Sequence, residues 1–191
     1  MKSPFDARPV VVAIAGPNGA GKTTFYEAHI QMAGLRFVNA HDLARELEVD
    51  AYEAAEVAGR LRETMLEQGE SFAFETVFSD PVGERVAFLE RAGAKGYTVV
   101  LCFIGIDGPE VSEERVAMRV LQGGHGVPSR KLKERFPRTL KNLARAVREL
   151  PHVLVFDNSD LGRPFRKVAQ FEQGTMVEKH APVPRWVPRG R

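Results

Sequence analysis

Hydrophobic positions along this chain follow two rhythms. Short apolar, β-branched runs occupy residues 10–15, 36–39, 72–75, 97–104 and 153–156. Such runs predict strands buried on both faces. Between them, apolar residues recur at helical spacing over about 23–33, 41–49, 51–68, 81–92, 111–122 and 130–150. Strands alternating with helices predict an α/β fold, with a five-stranded, mostly parallel sheet covered by helices on both faces. In such a sheet ligands bind beyond the carboxyl ends of the strands. The places to seek chemistry are therefore residue 16 onward, 39–42, 75–79, 105–108 and 157–159.

Two departures from the rhythm organise the rest. Residues 123–129, GGHGVPS, interrupt a long basic helical region. Paired glycines leave a helix easily and Pro128 suits the start of the next one, which predicts a flap with basic arms. After Ser159 the pattern changes to alternation over 165–180 around Gln173-Gly174, which predicts a hairpin. Pro182, Pro184 and Pro188 mark an irregular basic tail. The expected organisation is a core over 1–160, with a helical lid at about 119–138, and a C-terminal hairpin and tail (161–191) packed on the same domain.

The first strand runs into GPNGAGKT at residues 16–23, which fits G-x-x-x-x-G-K-[ST], and a helix follows. That context makes it a phosphate-binding loop. Glycines let the backbone wrap closely around an anion. Gly16, Pro17, Asn18, Gly19, Ala20, Gly21, Lys22, Thr23 and Thr24 are the expected ATP-binding residues. Lys22 would meet the outer phosphates, Thr23 would offer its hydroxyl to Mg²⁺, and the helix start would face the same anion.

Phosphoryl transfer is largely positioning and charge neutralisation, so the other strand ends are searched for carboxylates and cations. Glu75 closes FAFETVFS, where it can reach Mg²⁺, its waters or a substrate hydroxyl. Arg115, Arg119, Arg130, Arg135 and Arg138 flank the flap, and some of them could fold down over the transferring phosphoryl. His41 and Asp42 follow the second strand. Either could take a proton from a hydroxyl, and Asp42 or Asn39 could equally cap the next helix. His125, inside the flap, could touch a ligand or simply be exposed. His29, His152 and His180 stand alone without metal-ligand spacing and are expected to be structural. Tyr26, Tyr52 and Tyr97 read as core or helix-face residues.

Composition narrows the class. The chain has 191 residues, 43% of them hydrophobic, enough for one ordinary core. It has no long apolar run and no signal-peptide pattern at its start, and its single cysteine, Cys102, lies in an apolar run. These features point to the cytoplasm and to a core role for Cys102. The net charge of +2 is unevenly spread. Residues 39–90 carry 4 basic and 13 acidic side chains, whereas residues 112–150 carry 10 and 4. A basic segment suits phosphate. With only Phe136 as an aromatic in it, the segment argues against stacking on single-stranded nucleic acid.

In order along the chain, GPNGAGKTT, VNAHDLA, FAFETVFS, RVLQGGHGVP, ERFPRTLKNL and VFDNS resemble the zeta toxin family, from about residue 10 to 160. The resemblance implies a P-loop kinase core and transfer of a phosphoryl group from ATP or GTP, with Mg²⁺, to a hydroxyl of a small molecule such as UDP-N-acetylglucosamine. It makes Lys22 the phosphate lysine and Thr23 the Mg²⁺ hydroxyl. It makes Glu75 and Thr76 substrate- or metal-side residues, and Arg119 and Arg135 the clamping arginines; Asn39 and His125 are expected, apart from the resemblance, to touch the substrate. An antitoxin protein is a possible partner, which the sequence itself does not spell out. The family typically reads N-A-D-x-I-A where this chain has N-A-H-D-L-A, so His41 stands at the position of the usual base and Asp42 one place later. Around Arg135 the chain reads Lys133-Glu134-Arg135, where the family is often richer in arginine. Two alternatives remain: a kinase of another acceptor (nucleoside, other sugar or polynucleotide end), and a nucleotide-binding switch that transfers nothing.

Overall fold

The computed structural model describes residues 4–124 and 126–190. His125 of the expected flap lies outside them. Seven strands form one sheet in the order β2-β3-β1-β4-β5-β6-β7. They span β1 Val10–Ala15, β2 Arg36–Val38, β3 Phe72–Thr76, β4 Thr98–Gly105, β5 His152–Asp157, β6 Arg166–Glu172 and β7 Thr175–Lys179. The first five are parallel, and β6 and β7 add antiparallel to the β5 edge. The expected five-stranded sheet is therefore corrected to seven. The hairpin turns at Gln173-Gly174, both at positive φ, and pairs with β5, extending the sheet. Alternation predicts a strand but does not name its neighbour.

The helices are α1 Lys22–Phe25, continued by a π turn over Tyr26–Ile30 and a 3-10 turn over Gln31–Ala33, then α2 Ala40–Leu47, α3 Ala51–Glu67, α4 Glu84–Ala94, α5 Pro109–Leu121 and α6 Ser129–Glu149. Alternation along β1 divides the core. Val11, Ala13 and Ala15 join the apolar side chains of α3, α4 and α6 on one face. Val10, Val12 and Ile14 join Phe25, Ile30 and Ile106 on the other. With β1 fully buried between two helical layers, burial stabilises each large side chain by about 1.5–3 kcal/mol. Cys102 lies in this interior, fully buried. Trp186 of the tail packs its ring on Gly105 so closely that a Cβ there would lie 2.1 Å from it.

The topology positions the site. β1 is central, with β3 on one side and β4 on the other. Ile14 is in register with Glu75, so the loop leaving β1 emerges beside the carboxylate at the end of β3. Among the described residues no helix is long and apolar enough to cross a membrane.

Candidate functional site

The loop after β1 closes tightly because its sequence leaves no alternative. A Cβ on Gly16 would lie 2.1 Å from the Ile104 carbonyl oxygen, so the backbone can pass β4 only without a side chain. Gly21 enters α1 at φ 84°, a conformation glycine adopts freely. Outside elements then clamp the loop by its carbonyls. Ser112 donates to Asn18 O at 2.7 Å. Arg115 donates to Gly19 O at 3.3 Å and to Ser159 O at 3.0 Å. Asn158 donates to Ala20 O at 2.9 Å and accepts from Phe165 N. With these carbonyls engaged from behind, the loop is held as a fixed cradle.

Lys22 and Thr23 begin α1 and turn toward β3. The buried Lys22 ammonium donates to Pro17 O at 3.0 Å and lies 3.7 Å from a Glu75 carboxylate oxygen. Burial pulls its pKa below the ordinary lysine value. Glu75 opposes that shift, and the nearby Arg119 charge adds to it. Thr23 donates its hydroxyl to the other Glu75 oxygen at 2.7 Å. The buried Asn18 side-chain oxygen has no protein partner. A polyphosphate fits this cradle, where a dehydrated ammonium, a backbone wrapped by glycines and the start of α1 come together. Mg²⁺ fits too, since the Thr23 hydroxyl and the Glu75 carboxylate are adjacent hard oxygens, and this ion takes few protein ligands beside substrate oxygens and water.

Next to Glu75 lies a cavity of about 150 Å³ lined by Asn39, His41, Arg62, Glu75, Thr76 and Arg85, among others. Its β2 side is set by a cap. Asn39 starts α2 and accepts from His41 N at 2.9 Å, a contact worth about 1 kcal/mol. That cap fixes the rotation of the helix. His41 lines the cavity, whereas Asp42 is not among its walls and pairs on the surface with Arg45 at 3.1 Å.

The flanking arginines divide. Arg119, half-buried near the end of α5, is close enough to Lys22 to disfavour its charge. Arg135, half-buried on α6, has its field felt at the Tyr52 hydroxyl on α3. Arg130 pairs with Glu134, and Arg138 donates to Glu134 O. Arg115 clamps the loop, a role the sequence did not suggest. Thr24 is exposed. His29 packs its ring against Phe25.

Arg62, Arg85, Ser112 and Asn158 were not singled out from the sequence. For Arg62 a signal exists. It falls on the buried stripe Ala54, Ala58, Arg62, Met65 and Leu66 of α3, at i+4 spacing where an apolar residue is expected. Asn158 follows directly on β5, a strand end where chemistry was expected.

The family model described as Zeta toxin matches residues 35–166, beginning after the phosphate loop. No curated protein matches the chain. Among solved structures, a chain of the AvrRxo1-ORF1:AvrRxo1-ORF2 complex with sulphate ions is similar at TM-score 0.61 and 17% identity, over 92% of this chain and 62% of that one. The present chain thus spans under two thirds of that relative. A putative kinase from Chloroflexus aurantiacus gives TM-score 0.57 at 17% identity, covering 82% and 92%. A chain from the PezAT chromosomal toxin-antitoxin system of Streptococcus pneumoniae gives 0.57 at 16%, covering 85% and 72%. At these identities the likeness is one of fold.

Proposed function

The chain belongs to the zeta toxin family, and from that premise we propose that it is a kinase moving the γ-phosphoryl of ATP to a hydroxyl of a small molecule of the sugar-nucleotide class. The observation that carries this reading is the convergence of Lys22 and Thr23 on Glu75, in the wall of a second cavity that also holds Asn39, His41 and Thr76. A donor cradle and an acceptor cavity sharing one carboxylate is the geometry an in-line transfer needs.

In this reading ATP lies along residues 16–24, with Lys22 against its outer phosphates. Mg²⁺, held by Thr23 and Glu75, neutralises phosphate charge when bound. The acceptor hydroxyl sits in the cavity beside Glu75. Its oxygen bonds to the γ-phosphorus as the bond to the β–γ bridging oxygen breaks, and ADP leaves. The hydroxyl proton passes to His41. Thr76 and Asn39 orient the acceptor. Arg119 meets the charge developing on the phosphoryl oxygens, and Arg135 comes to it as the α5–α6 lid closes, excluding water. An antitoxin protein and a place in the cytoplasm belong to the same reading.

The test is transfer of label from γ-labelled ATP, with Mg²⁺, to a panel of acceptors that includes UDP-N-acetylglucosamine. Label on an acceptor hydroxyl is expected. Nucleotide binding with no label on any acceptor would replace the kinase by a nucleotide-binding switch.

A further inference from the structure

Arg62 is 5% exposed, yet among the described residues it has no carboxylate within ion-pair distance and no hydrogen-bond acceptor. Its guanidinium lies 5.0 Å from the centre of the Phe74 ring. The charged group felt most strongly is Arg85, of like sign. The weaker favourable one is Glu63, which is taken up by Arg91 at 2.5 Å. Burial pulls the Arg62 pKa down to about 10. The Arg62 nitrogens are not among the enclosed unpartnered atoms but open onto neighbouring hollows, so an anion entering there meets a poorly hydrated, unpaired cation.

Arg62 and Arg85 also share two spaces. Both line the 150 Å³ cavity beside Glu75, and both line a second hollow of about 600 Å³ between α3 and α4. The two hollows meet at this arginine pair. A molecule with its hydroxyl at Glu75 and its body in the larger hollow, whose walls also carry Glu63, Glu67 and Glu84, would run past the two arginines that line both spaces. An arginine fork binds phosphate or carboxylate through parallel hydrogen bonds, and stacking on an aromatic face keeps the fork oriented.

We propose that Arg62 and Arg85 form an oxyanion subsite of the acceptor pocket, so that the acceptor of this enzyme carries a phosphoryl or carboxylate group bound between α3 and α4. This rests on the kinase reading for the word acceptor; the subsite itself does not depend on catalysis.

The test separates the two. Inorganic phosphate in one arm and acetate in the other are titrated by calorimetry into the Lys22→Ala chain, which keeps transfer switched off. Both are then titrated into the same chain carrying in addition Arg62→Gln, Arg62→Lys or Arg85→Gln. Circular dichroism checks that each variant is folded. One of the two anions is expected to bind, and the tighter names the acceptor's group. Binding should weaken at least about tenfold with Arg62→Gln, given the usual strength of charge-assisted bonds. Arg62→Lys, which keeps the charge without the fork, should weaken it less, and Arg85→Gln should weaken it too. Binding of neither anion, or affinities indifferent to Arg62 in folded variants, would overturn the subsite. Failure of label transfer to every acceptor, with Arg62-dependent anion binding intact, would overturn the kinase reading alone.

Discussion

Thr23 and Glu75 share a hydrogen bond of 2.7 Å, joining the first turn of α1 to the last residues of β3. The same carboxylate approaches Lys22. Glu75→Gln keeps the shape and removes the charge. Phosphoryl transfer should fall by at least about 100-fold, as for loss of a positioned charged group, with nucleotide affinity much less affected. Steady-state kinetics beside nucleotide titration checks this. Equal loss in both would make Glu75 a structural partner of Lys22 only.

His41 and Asp42 are adjacent in sequence but face different surroundings. His41→Ala should lower kcat by about 100-fold or more. Asp42→Ala removes an exposed pair with Arg45 and should cost under about 1 kcal/mol of stability, with near-normal turnover. The reverse pattern in the label-transfer assay would move the base to Asp42.

Asn158 holds Ala20 O and Phe165 N from a buried position. Asn158→Ala strands both partners, and its loss should cost about 1–3 kcal/mol. In a chain of this size that is roughly 2–10 °C in Tm. ATP binding should weaken as well, because the loop loses one of its clamps. Thermal unfolding with and without nucleotide measures both effects.

At Gly16 the obstacle to a side chain is the backbone of Ile104, which cannot move aside. Gly16→Ala should therefore abolish ATP binding, or leave a chain more than about 2 kcal/mol less stable. Normal affinity and normal Tm would contradict the loop geometry described above.

Cys102 is fully enclosed, and burial pushes its thiol from 9.0 up to about 12. A thiol reagent at pH 8 should leave the native chain unlabelled and react with it once it is unfolded in urea. The folded state holds the proton that the unfolded state gives up above pH 9.0. This contribution to stability is therefore complete below 9.0 and is lost as pH rises toward 12. Urea titrations of wild type and Cys102→Ala should diverge over that interval in this sense.

Much of this could be read from the chain because the informative signals are local. β1 lies at residues 10–15 as its apolar run predicts, and Gln173-Gly174 turns the hairpin where alternation reverses. The phosphate loop announces itself by spacing. The hairpin's partner strand is a long-range fact, and no periodicity within 166–179 names β5. Which of His41 and Asp42 lines the cavity depends on which residue caps α2, a matter of one hydrogen bond from His41 N to Asn39. Arg62 is hard to read as a site residue because arginine on a helix is most often solvated, although its place on the apolar stripe of α3 marks it as buried.

Ser112 and Arg115 lie in the first two turns of α5 and are fastened to the phosphate loop, whereas Arg119 lies one turn further on. α5 therefore cannot swing away whole without letting go of Asn18 and Gly19. In the proposed kinase, a lid opening that leaves the cradle clamped is confined to the part of α5 beyond Arg115. On that reading the helix is half wall and half door, and the cradle would keep its shape while substrates enter and products leave.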